Sequence, residues 1–384
     1  MFFKIKNKLG KKRTGIINTV HGKILTPSFA FVATHGTIKS LNKKEHDLAS
    51  PGLTISNTFH LLISRKVKEI KKAGGLHKKF GLNNPIMTDS GGFQIFSLGW
   101  GKVHGTGKIA NYSTSNAGEG KNLVKISRDG VIFTYNGAKR KLNPKISIKI
   151  QEDLGADIIF AFDECTSPIN DYDYNKKSLL KTHNWAKECL KTKKKNDQAL
   201  YGIVQGGVFE DLRRKSSAII GALLFDGFGI GGSFGEKQMK EVIGWSLSGL
   251  PEDKPRHLLG IGAVKDIFIG VENGIDTFDC VIPTREARHG ALYSKEGRLD
   301  IQRKIFAKDK KMVEKGCRCL MCAQGIKRQG AYKLFKENKT EAQKLATMHN
   351  LYFYRTLFEK IRKAIDSSKL SNWEKLKKEY KKLI

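Results

Sequence analysis

Short apolar runs recur along the chain, and most of them end in glycines or polar residues. They are "LTISN" (53–57), "PIMTD" (85–89), "IIFAFDE" (158–164), "YGIVQGG" (201–207), "FGIGG" (228–232), "HLLGIG" (257–262) and "TFDCV" (277–281). Stretches with apolar residues at helical spacing lie between several of them, as in "FEDLRRKSSAIIGALLF" (209–225) and "EKQMKEVIGWSLSGL" (236–250), which stops at Pro251. Strands alternating with helices predict βαβ units and a parallel sheet. So many units in one chain favour a closed barrel over an open sheet. The polar residues of interest sit at the C-terminal ends of the runs: Asp89, Asp163, Gln205, Gly232 and Gly262. Barrel active sites are built at that end from strand termini and the loops that follow.

The run at 85–89 continues into "TDSGGFQ", residues 88–94. A carboxylate closes a buried strand, and two glycines strip the next turn of side chains. Glycine lets a ligand or another backbone come close. One strand-end Asp is often a helix cap. Several of them, with Gln205 and paired glycines, fit a pocket better. Residues 99–122 are rich in Gly, Ser, Asn and Lys and read as a mobile loop. "VKISRDGVIFTYNGAKRKL" then predicts a hairpin turning at Asp129-Gly130.

Charge narrows the partner. The chain has 384 residues, 70 Lys+Arg against 37 Asp+Glu, and a net charge of +33. That excess implies a polyanion: nucleic acid first, an anionic membrane surface second, with general lysine richness as the plain alternative. No run is long and apolar enough for a signal or a membrane span, so a cytoplasmic protein is expected. Three of the six cysteines crowd into "CRCLMC", which is no disulfide framework. Cys317, Cys319 and Cys322, followed by His349 on a helix-like stretch, have the spacing of a closed tetrahedral site for one structural Zn2+.

Taken together, "TDSGGFQIFSL", "FDECT", "YGIVQGG", "IGG", "FDCVIPTREARHG" and C-x-C-x-x-C…H resemble the tRNA-guanine transglycosylases, or queuine tRNA-ribosyltransferases, of the bacterial type. The likeness runs in order from about residue 12 to 360. It implies an α/β fold, a (β/α)8 TIM barrel with an inserted zinc-binding subdomain. It also implies exchange of guanine at the wobble position of certain tRNAs for a 7-deazaguanine. A base in an anticodon loop must be splayed into a pocket before its glycosidic bond can be reached. By this resemblance Asp279 is the nucleophile and Asp89 handles protons, as in a retaining glycosidase. Asp163, Gln205 and Gly232 read the guanine edge, Phe93 lies against the base, and Ser90, Gly91 and Gly92 line the site. Thr284, Arg285, Glu286, Ala287 and Arg288 contact the RNA beside the target. So does the stretch Gly260, Ile261, Gly262, Ala263, Val264, Lys265 and Asp266. The partners implied are the tRNA anticodon loop, the 7-deazaguanine base and a second copy of the chain in a homodimer.

The family's glycine loop usually reads GG-Leu-(Ala/Ser)-(Val/Gly)-Gly-Glu, whereas residues 231–236 here read "GGSFGE", one residue shorter. That leaves open whether queuine or 7-aminomethyl-7-deazaguanine is inserted, although Cys165 resembles enzymes using the latter. A non-catalytic tRNA-binding subunit is the competing reading, and retention of Asp89 and Asp279 opposes it. A zinc-bearing dehydrogenase is a third, but no G-x-G-x-x-G follows a strand, and Phe234 occupies the last glycine position of "GIGGSF". The expected organisation is a barrel over 1–305 with its insertion at about 99–122, a zinc-binding subdomain over 306–360, and a basic helix over 361–384.

Overall fold

All seven apolar runs become strands. The computed structural model describes residues 2–97, 124–232 and 238–384, so the loop at 99–122 and residues 233–236 lie outside the described residues. Eight parallel strands close into a barrel in chain order. They are β1 (Ser28–Val32), β2 (Thr54–Ser56), β3 (Ile86–Thr88), β4 (Ile158–Phe160), β5 (Ala199–Val204), β6 (Gly227–Ile230), β7 (Arg256–Leu258) and β8 (Thr277–Cys280). Helices follow most of them, giving an α/β TIM barrel. Because both faces of such strands are covered, they read as continuous apolar runs rather than alternating ones. β5 is buried at all six positions.

The chain divides into two compact units, one of residues 1–56, 80–87 and 255–384, the other of residues 57–79 and 88–254. The first begins with a three-stranded antiparallel sheet, Phe3–Leu9, Lys12–Thr19 and Gly22–Thr26. That sheet supplies buried Arg13, which donates to both carboxylate oxygens of Asp276 at 2.9 and 2.5 Å. Asp276 also accepts from the Arg256 amide at 2.7 Å, so one carboxylate ties the starts of β7 and β8. The same unit carries a separate apolar cluster around Leu292, Ile301, Phe306, Val313, Met321 and Phe335. Helix Lys339–Asp366 contributes Ala342, Leu345 and Ala346 to it, and its buried residues at helical spacing include Leu351, Tyr354, Phe358, Ile361 and Ile365.

The second unit holds β4, β5 and β6. Helix Glu210–Gly221 joins β5 to β6, and helix Met239–Leu247 follows β6. Residues 124–142 form the expected hairpin and add a third strand: Val124–Ser127 pairs with Gly130–Tyr135, which pairs with Ala138–Leu142. Helix Pro144–Leu154 starts with the Asn143 side chain accepting from the Ile146 amide and has proline in its first turn, where no hydrogen bond is lost.

Candidate active site and metal centre

In the second unit the buried Asp163 follows β4 and the buried Gln205 follows β5. Gln205 Nε2 donates to Asp163 Oδ2 at 2.6 Å. Burial pushes the Asp163 carboxyl up to about 6, and the bond from Gln205 opposes that rise. The Gln205 Oε1 is buried and takes no hydrogen bond among the described residues. Glycine is required beside it. A Cβ at Gly231 would stand 2.5 Å from Gln205 Nε2, and one at Gly232, where φ is +105°, would stand 2.6 Å from Arg213 Nη2. The Arg213 guanidinium is itself buried and donates to the carbonyls of Gly207 and Gly231, both at 2.8 Å, so it fixes the turns after both strands. Cys165 is close by, but burial, with Asp163 adding, pushes its thiol up to about 12. It stays protonated and is a poor nucleophile. The neighbouring Glu164 is occupied elsewhere, by Tyr174 Oη at 2.8 Å and Lys181 Nζ at 2.7 Å.

Asp89 is the carboxylate the "TDSGGFQ" pattern singled out, and it is both held and presented. Its oxygens accept from Asn57 Nδ2 at 2.6 Å, the Thr58 amide at 2.8 Å, the Gly91 amide at 3.2 Å and Gln94 Nε2 at 3.4 Å. The Thr58 amide opens helix Thr58–Ile63, so Asp89 also helps cap that helix. The glycines after it are tight. A Cβ at Gly92 would meet the Asp163 carbonyl oxygen at 3.1 Å, and one at Gly91 would meet the Phe59 amide nitrogen at 3.3 Å. Phe93 is 39% exposed, unusual for so large an apolar ring.

In the first unit Asp279 lies on β8. Its Oδ1 accepts from the Gly260 amide at 2.9 Å and from His257 Nε2 at 3.1 Å. Sequence reasoning passed over His257, which sits in an apolar run. Of the stretch Gly260–Asp266, Gly260 is exposed, Ile261, Ala263, Lys265 and Asp266 are half-buried, and Gly262 and Val264 are buried. Helix Ile282–Arg288 follows β8. It exposes Arg285 and half-buries Arg288, while Thr284 and Ala287 are buried. Burial, then the charge of Arg285, lowers the Arg288 pKa. Glu286 accepts from Tyr293 Oη at 2.9 Å and Arg298 Nε at 2.7 Å, so it braces the helix.

The three thiols and the imidazole expected at the metal centre come together. Their ligand atoms lie within 4.8 Å of one another, with His349 Nδ1 3.3 Å from Cys319 Sγ and 3.7 Å from the sulfurs of Cys317 and Cys322. Tetrahedral zinc, with bonds of about 2.3 Å to sulfur and 2.0 Å to nitrogen, sets ligand edges of about 3.5–3.8 Å. His349 Nε2 donates to the Tyr293 carbonyl at 2.8 Å, which leaves the Nδ1 lone pair for a metal. Hydrogen bonds with Cys319 and Cys322 pull the Cys317 thiol down, whereas those with Cys317 and Cys322 push the Cys319 thiol well up. Three thiolates coexist here only around a cation, so the donor set fits a metal ion.

The family model described as Queuine tRNA-ribosyltransferase matches residues 8–382. This chain belongs to the queuine tRNA-ribosyltransferase family. Among its relatives is the queuine tRNA-ribosyltransferase of Protochlamydia amoebophila, 44% identical, with 94% of this chain and 93% of that protein covered. That of Caldanaerobacter subterraneus subsp. tengcongensis is 41% identical over 98% and 96%. That of Staphylococcus aureus is 40% identical over 94% and 91%. Queuine tRNA-ribosyltransferases are pentosyltransferases, and this chain is an enzyme of that class acting in tRNA modification. No helix among the described residues is long and apolar enough to cross a membrane.

Proposed function

We propose that this enzyme replaces guanine with a 7-deazaguanine at the wobble position of tRNAs with GUN anticodons (Asp, Asn, His and Tyr), through a covalent bond between ribose and Asp279. The observation that carries the reading is the buried Asp163–Gln205 pair beside Gly232. A guanine edge offers a ring N–H and an amino group to a carboxylate, and a carbonyl to amide donors. Asp163 supplies the first, and Gln205 with the Gly232 amide the second. Phe93, with Ser90, Gly91 and Gly92, covers the plane of the base.

Asp279 attacks the ribose C1′ as the guanine bond breaks, and the electrons of that bond leave with guanine. Asp89 manages the proton of the departing base and later takes one from the incoming base, which attacks from the vacated face. Two inversions retain the sugar's configuration. The ester conserves the reactivity of the broken bond, so no outside energy source is required. Arg285 and Arg288 read the nucleotides beside the target, and the stretch Gly260–Asp266 abuts the RNA backbone. Cys317, Cys319, Cys322 and His349 hold one Zn2+, whose role is to stabilise residues 306–360. We place the enzyme in the cytoplasm as a homodimer.

Mass spectrometry of an anticodon-loop RNA incubated with the enzyme and each candidate base tests the exchange. Incorporation of 7-aminomethyl-7-deazaguanine or queuine at the guanine position is the expected result. RNA that retains its guanine under every base contradicts it.

A further inference from the structure

The proposed nucleophile has a neighbour to which nothing so far assigns a role. His257 is fully buried at β7, and it pairs in register with Thr277 of β8. Strand side chains alternate, so Thr277 and Asp279 point to the same face. The imidazole bridges them. Its Nδ1 lies 2.9 Å from Thr277 Oγ1 and its Nε2 3.1 Å from Asp279 Oδ1. Attack requires an ionised carboxylate, which only accepts hydrogen bonds, so the hydrogen sits on Nε2 and Nδ1 accepts from Thr277.

The Gly260 amide donates to that same Oδ1, at 2.9 Å. Both described bonds to the side chain therefore fall on one oxygen, and Oδ2 takes none among the described residues. We infer that His257 is a positioning residue that, with the Gly260 amide, pins Oδ1 of Asp279 and leaves Oδ2 as the attacking atom. The inference rests on the reading of Asp279 as nucleophile. In the step it serves, an Oδ2 lone pair forms the bond to C1′ and the glycosidic electron pair leaves with guanine. His257 neither gives nor takes a proton. Its contribution is orientation. A free carboxylate turns about its Cα–Cβ and Cβ–Cγ bonds, and a reacting atom misplaced by about 1 Å costs roughly a hundredfold in rate.

A buried histidine satisfied by Thr277 alone would matter to folding and not to the chemical step. Single-turnover formation of the covalent RNA adduct separates the two. It is measured with the full chain alongside RNA affinity and melting temperature. His257→Phe keeps a ring and loses the donor. It should slow adduct formation by roughly ten- to a hundredfold with RNA affinity unchanged. His257→Gln, whose amide reaches the Nε2 position, should recover most of that rate. Thr277→Val should slow the step on its own but add little to His257→Phe, because both act through one ring. It also serves as the second probe if His257→Phe melts early. Adduct at the wild-type rate in His257→Phe or in Thr277→Val, with none in Asp279→Asn, overturns the inference and leaves the nucleophile standing. Undiminished adduct in Asp279→Asn overturns both.

Discussion

Loss of the Asp163 proton should show both in stability and in turnover. Burial raises its carboxyl from an ordinary 3.8 to about 6, so the folded chain binds that proton more tightly than the unfolded one. The stability this proton contributes is fully present below about 4 and is lost as pH rises through about 6. Under the proposed role of Asp163, base recognition runs the other way, because only the ionised form can accept from both N–H groups of guanine. Exchange should therefore decline as pH falls through about 6. Asp163→Asn should lose that acid limb and be slower at neutral pH by roughly 10- to 100-fold, the worth of a hydrogen bond to a charged group. A variant whose pH–rate profile keeps the wild-type limb contradicts the assignment. The positions of Asp89, Asp163 and Asp279 at or just past strand ends were legible in the sequence, because apolar runs stop there. His257 and Arg213 were not. Their meaning comes from the partner strand or turn each one reaches, as in the register of His257 with Thr277, and no local pattern encodes it.

Among the elements, the strand missed in the sequence is β1, Ser28–Val32. Its "SFAFV" is as apolar as the others, but it follows charged segments that form the antiparallel sheet rather than a helix, so the alternation that marks the barrel begins only after it. The cluster of three cysteines and a histidine was fully legible, since the three cysteines lie within six residues. Its reach was not. Asn350, next to the ligand His349, donates to the carbonyls of Pro283 at 2.9 Å and Ala291 at 3.0 Å, and Gln343 Nε2 donates to that of Arg288 at 3.0 Å. The helix that closes the metal site thus braces helix Ile282–Arg288, which carries Arg285. Zinc removal by a chelator, or Cys319→Ser, should lower the melting temperature by at least about 5 °C. It should also blunt discrimination between anticodon loops. Metal analysis finding no zinc in fresh protein, with unchanged melting after chelation, would rule the site out.

At the scale of the whole molecule, a net charge of +33 supplies attraction for any RNA, and this part was plain from composition. Specificity must come from few residues set against that background. Replacing an exposed lysine that meets a phosphate should weaken all RNAs alike and flatten the salt dependence by about 0.7–0.9 in log–log slope. Arg285→Ala should instead narrow the gap between loops that differ beside the target guanine. Equal losses for every loop would show that Arg285 is one more phosphate contact. The proposed reaction assigns the attack to Asp279, on the last strand of the barrel. The most direct test of that account is to identify the residue that carries the RNA. Full-length enzyme is incubated with anticodon-loop RNA and a base analogue that cannot be exchanged, then denatured, digested and mapped by mass spectrometry. Ribosyl on Asp279, and no adduct at all from Asp279→Asn, is the predicted outcome. Ribosyl on Asp89 or Asp163, or an adduct from Asp279→Asn as strong as that of the wild type, would contradict it.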